Sequence, residues 1–378
     1  MKILFASSSS GSRGGGETFL IYLAEALAKR GHEVLLWTSS HPRMDEIAAR
    51  FAPFGAVHRA EYTNTYDRPR RSLAALLDRA TPRRAASEWN ALNPEIIHVN
   101  KQNLEDGLDL LHATRLIARP SVCTIHITQS AAYLGAKGAW LRDWVSRHGL
   151  HSYQGTLVAV SEPRLADLKQ FLGSEAAATA IPNGVPIPAP LPATERTRIR
   201  EGLGVSPNDL VFLAVGRMTP QKRPFVFLDL AARIRAIIPE ARFFWIGDGP
   251  LAEEWNTRAT ASGAKRLGWR DDVAQLLASG DLLLHTAEYE GMPLAILEAM
   301  AAGLPCAISE SLHREMPFLD NTNSYRISET DAWIAALGDR TDLSRRAKSA
   351  AHLASTQFST DVMAAAYELL YARSSAAG

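Results

Sequence analysis

With 378 residues, 46% of them hydrophobic and 21% charged, the chain is too long for one ordinary core and has the apolar material for two. A formal net charge of +1 leaves no electrostatic footprint for nucleic acid, and the two cysteines, Cys123 and Cys306, lie in separate apolar runs that indicate neither a disulfide framework nor a zinc site. No uncharged apolar run approaches the roughly 20 residues that cross a bilayer, and the opening apolar stretch is too short for a signal peptide, so a cytoplasmic protein, at most peripheral at the inner face of the membrane, is expected.

Taken in chain order, residues 2–7 read as a buried parallel strand, 8–16 as a glycine-rich loop, 17–30 as an amphipathic helix stopped at Gly31, and 33–38 as a second strand. This βαβ unit lacks the dinucleotide fingerprint, because Gly14-x-Gly16 is followed three residues on by Phe19, and an NAD oxidoreductase is disfavoured. Between Tyr66 and Glu88, six arginines face three acids, with Leu73, Leu76, Leu77 and Ala80 at helical spacing. The segment is expected to form a basic amphipathic helix, its charged face either solvated or resting on anionic lipid.

Residues 95–99 and 121–128 are two further strands, the second carrying His126 near the end where open parallel sheets present ligand-binding groups. His148 and His151 have no acid or thiol beside them, and no metal site is expected there. After a strand over 156–160, Ser161 is a good N-cap for a helix with Pro163 in its first turn. Five prolines and Asn183-Gly184 over 180–192 can be neither helix nor central strand, so this is a linker. It divides a domain over 1–185 from one over 186–357, and an apolar helix over about 358–378 is expected to pack back on the first.

In the second half, a strand over 210–216 leads into Arg217 and Lys222, two cations that leave the strand end together and could both reach a diphosphate, the first by a forked pair of bonds and the second as a point charge. Strands over 242–246 and within 265–272 end in glycine turns. The apolar run Asp281-Leu-Leu-Leu-His-Thr then opens the stretch on which the chain is organised, Glu288-Tyr-Glu-Gly-Met-Pro-Leu-Ala-Ile-Leu-Glu-Ala-Met-Ala-Ala-Gly303. Pro293 stands where a first helical residue would be and Gly303 where the helix ends. The free amides and dipole of that helix start suit a phosphate. Glu290 and Glu298, eight positions apart, could each accept from the hydroxyls of a different part of one ligand, although an exposed acid and an ordinary helical glutamate read the same way.

These two glutamates at E-x7-E spacing, with Gly291, Met292, Pro293 and Leu294 between them, resemble the signature of retaining GT-B glycosyltransferases of the family 4 type (glycosyl transferases group 1). Gly14-Gly15-Gly16-Glu17, Thr124-Ile125-His126, Ile181-Pro-Asn-Gly-Val185 and Gly216-Arg217-x4-Lys222 resemble other motifs of the same family. The resemblance implies an α/β fold of two doubly wound Rossmann-like domains facing a cleft, the first on the acceptor side and the second holding the nucleotide sugar. It implies a UDP- or GDP-sugar donor, a glycan or lipid-linked acceptor, and a role in bacterial cell-surface glycan or glycolipid synthesis, with no resident cofactor; the basic 66–88 segment adds peripheral contact to a membrane surface to the expected partners. On this reading His126 and Glu290 are catalytic, and Gly16, Arg217, Lys222, Gly291, Met292, Pro293, Leu294 and Glu298 bind the donor. The chain has no Asp-x-Asp, the usual diphosphate–metal clamp of the other main transferase fold, so no metal is expected. After Ile308 the chain reads Ser-Glu-Ser-Leu-His-Arg-Glu315, where relatives show a glycine pair and Pro-Glu. A GT-B epimerase, a sugar phosphorylase or an idle sugar-nucleotide-binding module would share much of this pattern.

Overall fold

The protein is described by a computed structural model covering residues 1–337 and 340–376. It divides into two compact units, one formed by Met1–Gly184 together with the chain from Thr360, the other by Val185–Ser359.

The first unit is built on seven parallel strands: β1 (Lys2–Ser7), β2 (Glu33–Ser39), β3 (Ala56–Ala60), β4 (Ile96–Asn103), β5 (Ser121–Ile127), β6 (Thr156–Ala159) and β7 (Ala178–Ala180), in the order β3-β2-β1-β4-β5-β6-β7. The central strands are continuous apolar runs because helices cover both faces of the sheet, and Ile3, Leu4, Phe5, Ile97 and Val99 are fully buried. β3 and β7 lie at the two edges, where half-burial tolerates Ala-Val-His-Arg-Ala and Ala-Thr-Ala, sequences without the apolar signal of a central strand.

The second unit has six parallel strands: β8 (Leu210–Val215), β9 (Ala241–Ile246), β10 (Lys265–Gly268), β11 (Leu282–His285), β12 (Cys306–Ile308) and β13 (Ser324–Arg326), in the order β10-β9-β8-β11-β12-β13. Its core joins Phe212, Phe227, Phe243, Trp245 and Trp255, with Phe212 and Phe243 stacked at 4.8 Å. Both units are doubly wound, and in each the strand order reverses once, between β1 and β4 and between β8 and β11. Such switch points leave a crevice at the carboxyl ends of the strands, where ligands bind.

The basic segment differs from its expected form. It is two helices, Arg71–Leu77 and Ala80–Leu92, because Asp78 leaves the helix in an extended conformation and its carboxylate caps the amides of Ala80 and Thr81 at 2.9 and 3.1 Å. Arg68 turns inward to a nearly buried ion pair with Asp109 and Asp78. Burial pushes the Asp109 carboxyl up to about 6 against the opposing pull of Arg68.

The last helix, Thr360–Ala376, belongs to the first unit; positions 377–378 of the expected segment lie outside the described residues. It is held by Glu368, which pairs with Arg30 and His32 at 2.7 Å, and by two buried tyrosines. The Tyr371 hydroxyl meets His98 Nδ1 at 2.6 Å, and the Tyr367 hydroxyl meets Thr124 Oγ1 at 2.8 Å. His98 Nε2 closes the network on Thr124 at 2.8 Å and its ring stacks on Tyr367. Cys123 and Cys306 are free and buried, one in each unit.

Candidate active site

At the switch point of the second sheet, the loops leaving β8 and β11 are stitched together by hydrogen bonds onto backbone carbonyls. The Thr286 hydroxyl donates to the Lys222 carbonyl (2.8 Å), the Glu288 amide to the Gln221 carbonyl (2.9 Å), and the Gln221 side-chain amide to the Tyr289 carbonyl (2.9 Å). The β8 loop also rests on the loop after β9: the Met218 amide donates to the Asp248 carbonyl (2.8 Å) and the Leu251 amide to the Met218 carbonyl (3.1 Å). Gly247 is required there, since a Cβ would stand 2.2 Å from the Gly216 carbonyl oxygen and its φ of +133° strains any other residue.

Lys222 and Glu290 meet at the centre of this frame. The Lys222 ammonium donates to Glu290 Oε1, and the His285 Nε2 position lies 3.3 Å from the same oxygen. Gln221 approaches the other carboxylate oxygen at 3.5 Å. Glu290 is buried, which pushes its carboxyl up, but the Lys222 charge and the hydrogen bonds from His285 and Lys222 outweigh burial and hold its pKa at about 2. Burial pulls the pKa of His285 down despite the hydrogen bond to Glu290. The site therefore presents a fixed carboxylate beside a fixed ammonium.

Arg217 differs from Lys222. It is exposed, and among the described residues its side chain makes no hydrogen bond or ion pair. It follows Gly216, against which the Lys222 stem packs: a Cβ there would lie 3.3 Å from Lys222 Cε. One ammonium is thus anchored by a carboxylate, while one guanidinium on the same loop is left without a hydrogen-bond or ion-pair partner among the described residues.

Gly291 follows Glu290, and Met292, Pro293 and Leu294 are buried. The helix runs Leu294–Ala301, so Pro293, expected as the first helical residue, is its N-cap, with an extended ψ of 116°. The amides of Ile296 and Leu297 both turn to the Pro293 carbonyl, at 3.2 and 3.4 Å, while those of Leu294 and Ala295 have no backbone acceptor among the described residues. Glu298 lies in the second turn of this helix, half-buried. Sequence reading passed over His285 and Gln221. The signal for His285 is its place at the carboxyl end of β11; for Gln221 it is its seat between the two cations.

The first unit gathers the other expected residues at its own switch point. His126, at the end of β5, is buried against the edge of Phe19 (4.8 Å between centroids), and its Nε2 lies 2.9 Å from Asn100 Oδ1. The Asn100 side chain in turn donates to the Gly16 carbonyl at 3.1 Å. Gly16 lies within the helix Gly15–Lys29, which begins two residues earlier than its expected start, and the Gln102 amide occupies the space a Cβ would need. Two motifs distant in sequence are thus joined through Asn100, a residue without an expected role. Burial pulls the pKa of His126 down to about 3, so its imidazole is neutral at physiological pH. No group of three or more His, Cys, Asp or Glu residues arranged to hold a metal occurs among the described residues, and no helix among them is long and apolar enough to cross a membrane.

Two doubly wound parallel sheets with these loop constellations define the GT-B class of glycosyltransferase folds. Family models match most of the chain: "Glycosyltransferase Family 4" over residues 13–187 and "Glycosyl transferases group 1" over residues 209–342. The chain belongs to this family. It is 30% identical to the Escherichia coli UDP-Gal:alpha-D-GlcNAc-diphosphoundecaprenol alpha-1,3-galactosyltransferase over 65% of this chain and 63% of that protein. It is 25% identical to the D-inositol 3-phosphate glycosyltransferase of Pseudarthrobacter chlorophenolicus over 78% and 74% of the two chains. Among solved structures, Anabaena HepE in complex with UDP-glucose superposes with a TM-score of 0.79 at 21% identity, covering 98% of this chain and 100% of that one. Sucrose-phosphate synthase from Thermosynechococcus elongatus gives 0.76 at 16%, with both chains fully covered (100%). At these identities the two structures bear on the fold alone.

Proposed function

We propose that this protein is a retaining glycosyltransferase that moves a sugar from a UDP- or GDP-sugar to a hydroxyl of a glycan or lipid-linked acceptor, without a metal ion, in bacterial cell-surface glycan or glycolipid synthesis. The observation that carries the reading is the Lys222–Glu290 pair beside the unpaired Arg217, at the switch point that leads into the Leu294–Ala301 helix. Charge that develops on a departing diphosphate is met there by two cations and by first-turn amides. Donors held in place in this way are worth about 3–4 kcal/mol each to a transition state.

Within this reading, Arg217 and Lys222 hold the diphosphate together with the turn Gly291–Met292–Pro293–Leu294. Glu298 accepts from the ribose hydroxyls and Glu290 orients the donor sugar. In the first unit, which the family assigns to the acceptor side, neutral His126 is the catalytic residue and Gly16, whose carbonyl accepts from Asn100, is a donor-binding one. The family implies same-face displacement, with the leaving phosphate taking the acceptor's proton. The name of the E. coli relative, which pairs a UDP-sugar with a diphosphoundecaprenol-linked acceptor, supports a uridine donor and a lipid-linked acceptor.

A thermal-shift screen of UDP, GDP and their sugars, repeated with a chelator, tests the reading. A ligand at a hundred times its dissociation constant adds about 2.7 kcal/mol. Stabilisation by one nucleotide sugar that persists in chelator, and a transferred sugar whose anomeric configuration by NMR is that of the donor, are the expected results. Absence of any shift overturns the donor assignment, and an inverted product overturns the stereochemistry.

A further inference from the structure

The first unit carries an aromatic surface that the proposed reaction does not use. On the helix Ala139–His151, Val145, Ser146, Gly149 and Leu150 face the core. The opposite face presents Trp140 and Trp144, one helical turn apart and 77% and 57% exposed, with Tyr133 in the preceding turn 68% exposed. On the neighbouring helix Arg71–Leu77, which packs beside it, Leu77 is 63% exposed. Isolated exposed apolar residues are ordinary, but two tryptophans on one face with a third aromatic alongside are not.

The surface is held in place. The Asp143 carboxylate accepts the amides of Ala131 and Ala132 at 2.7 and 3.1 Å, fixing the turn that carries Tyr133. Arg142 is clamped to Glu105 by two bonds at 2.8 and 2.5 Å. The Trp144 ring stacks on His148. These aromatics are therefore displayed by a fixed helix, and the cost of ordering them on binding is small.

Charge selects the occupant. Over residues 129–152 the one carboxylate, Asp143, is committed to the turn and Arg142 to Glu105, whereas Lys137 and Arg147 supply two further cations. At the start of the neighbouring helix, Arg70 and Arg71 are exposed and held at φ of +61° and +44°, and among the described residues neither forms an ion pair. Tryptophan and tyrosine have an apolar body and a polar handle that suit the headgroup level of a bilayer, and flanking basic side chains add attraction to anionic lipid.

We infer that the face carrying Tyr133, Trp140, Trp144 and Leu77, together with Lys137 before the first of these helices and Arg70 and Arg71 at the start of the second, docks the protein on an anionic lipid bilayer. This deepens the proposed reading, since a lipid-linked acceptor is presented at such a surface, but vesicle binding itself does not depend on that reading. The basic residues thus act beside an aromatic helix further along the chain, not as the charged face of a single helix over 66–88.

The test is co-sedimentation of the full chain with phosphatidylcholine vesicles, either pure or containing about 30% phosphatidylglycerol, at low and high salt. Binding about fivefold or more stronger to the anionic vesicles is expected, with a loss of about tenfold in Trp140→Ala/Trp144→Ala and a smaller loss in Arg70→Gln/Arg71→Gln that vanishes at high salt. The thermal midpoint and UDP affinity of each variant are measured alongside and are expected to match the parent. Equal sedimentation of parent and tryptophan variant, or none by the parent, overturns the proposal. So does a concentration-dependent dimer abolished by the tryptophan variant without vesicle binding, which would assign the face to a second copy. A parent that binds vesicles but neither UDP nor GDP nor their sugars would sink the glycosyl-transfer reading and leave this one standing.

Discussion

The Lys222 ammonium and the Glu290 carboxylate, 68 positions apart in the chain, form one ion pair at the junction of the β8 and β11 loops. Each therefore fixes the other as well as serving any ligand. Removing the cation alone leaves a buried carboxylate uncompensated, at a cost of about 3–5 kcal/mol. Lys222→Met is accordingly expected to lower the stability of the second unit by that order, whereas Lys222→Met combined with Glu290→Gln recovers most of it. Urea denaturation of both variants measures this, and UDP affinity is expected to be lost in both.

Arg217 offers the complementary experiment, because its exposed side chain has no hydrogen-bond or ion-pair partner among the described residues to lose. Arg217→Ala should leave the denaturation midpoint within about 0.5 kcal/mol of the parent and weaken UDP binding by about 1.5–3 kcal/mol, the worth of a charged hydrogen bond. Calorimetric titration with UDP reads both affinity and enthalpy. An unchanged affinity would remove Arg217 from the diphosphate clamp.

His126 is expected to act on turnover more than on binding. His126→Ala should leave UDP affinity largely intact and lower the rate of sugar transfer, with Asn100→Ala giving a milder form of the same loss because the Gly16 carbonyl loses its donor. Steady-state kinetics separates the two effects, and a fully active His126→Ala enzyme would strike the residue from the site.

Acid should destabilise the protein in two stages. Burial holds His98 and His126 at about 3 and lowers His285, so between an ordinary histidine pKa near 6.5 and that value the unfolded chain binds protons the native one refuses. Stability therefore falls as pH falls, by up to about 1.4 kcal/mol per pH unit for each histidine. Glu290, held at about 2, contributes stability that is fully present above an ordinary glutamate pKa of about 4.5 and is lost as pH falls from there toward about 2. Urea midpoints from neutral pH down to about pH 2.5 check the sign of both stages, and His126→Gln should make the upper stage shallower.

Tyr371→Phe removes one hydroxyl and leaves His98 Nδ1 buried without its acceptor or donor. The expected cost is about 1–3 kcal/mol. Adding Tyr367→Phe should cost less or more than its own single effect, since both tyrosines reach one His98–Thr124 pair, and a double-mutant cycle measures that coupling.

Much of the architecture was readable because its signals are local. Central strands buried on both faces appear as unbroken runs such as Ile3-Leu4-Phe5, and Ser161 was identified as the N-cap that accepts from the Arg164 amide. The edge strands β3 and β7 escaped because half-burial leaves no period to count. In the basic segment arginines and leucines recur at the interval of a single helix, while the interruption depends on where a single aspartate points. Site residues were found as separate motifs. Their pairing was not, because Lys222 with Glu290 and His126 with Gly16 meet only once the sheets bring distant loops to the same edge, and the bridging Asn100 belongs to no motif.

The closing helix of the first unit is made last. β1 to β7 leave the ribosome before the intervening 175 residues of the second unit, Val185–Ser359, a delay of roughly ten to thirty seconds at ordinary elongation rates. Until Tyr367 and Tyr371 are made, the contacts they give His98, Thr124 and Phe19 in the folded unit cannot form. Nascent chains stalled before Thr360 should for that reason be clients of chaperones that bind exposed aromatic surface, and release should coincide with emergence of the final helix.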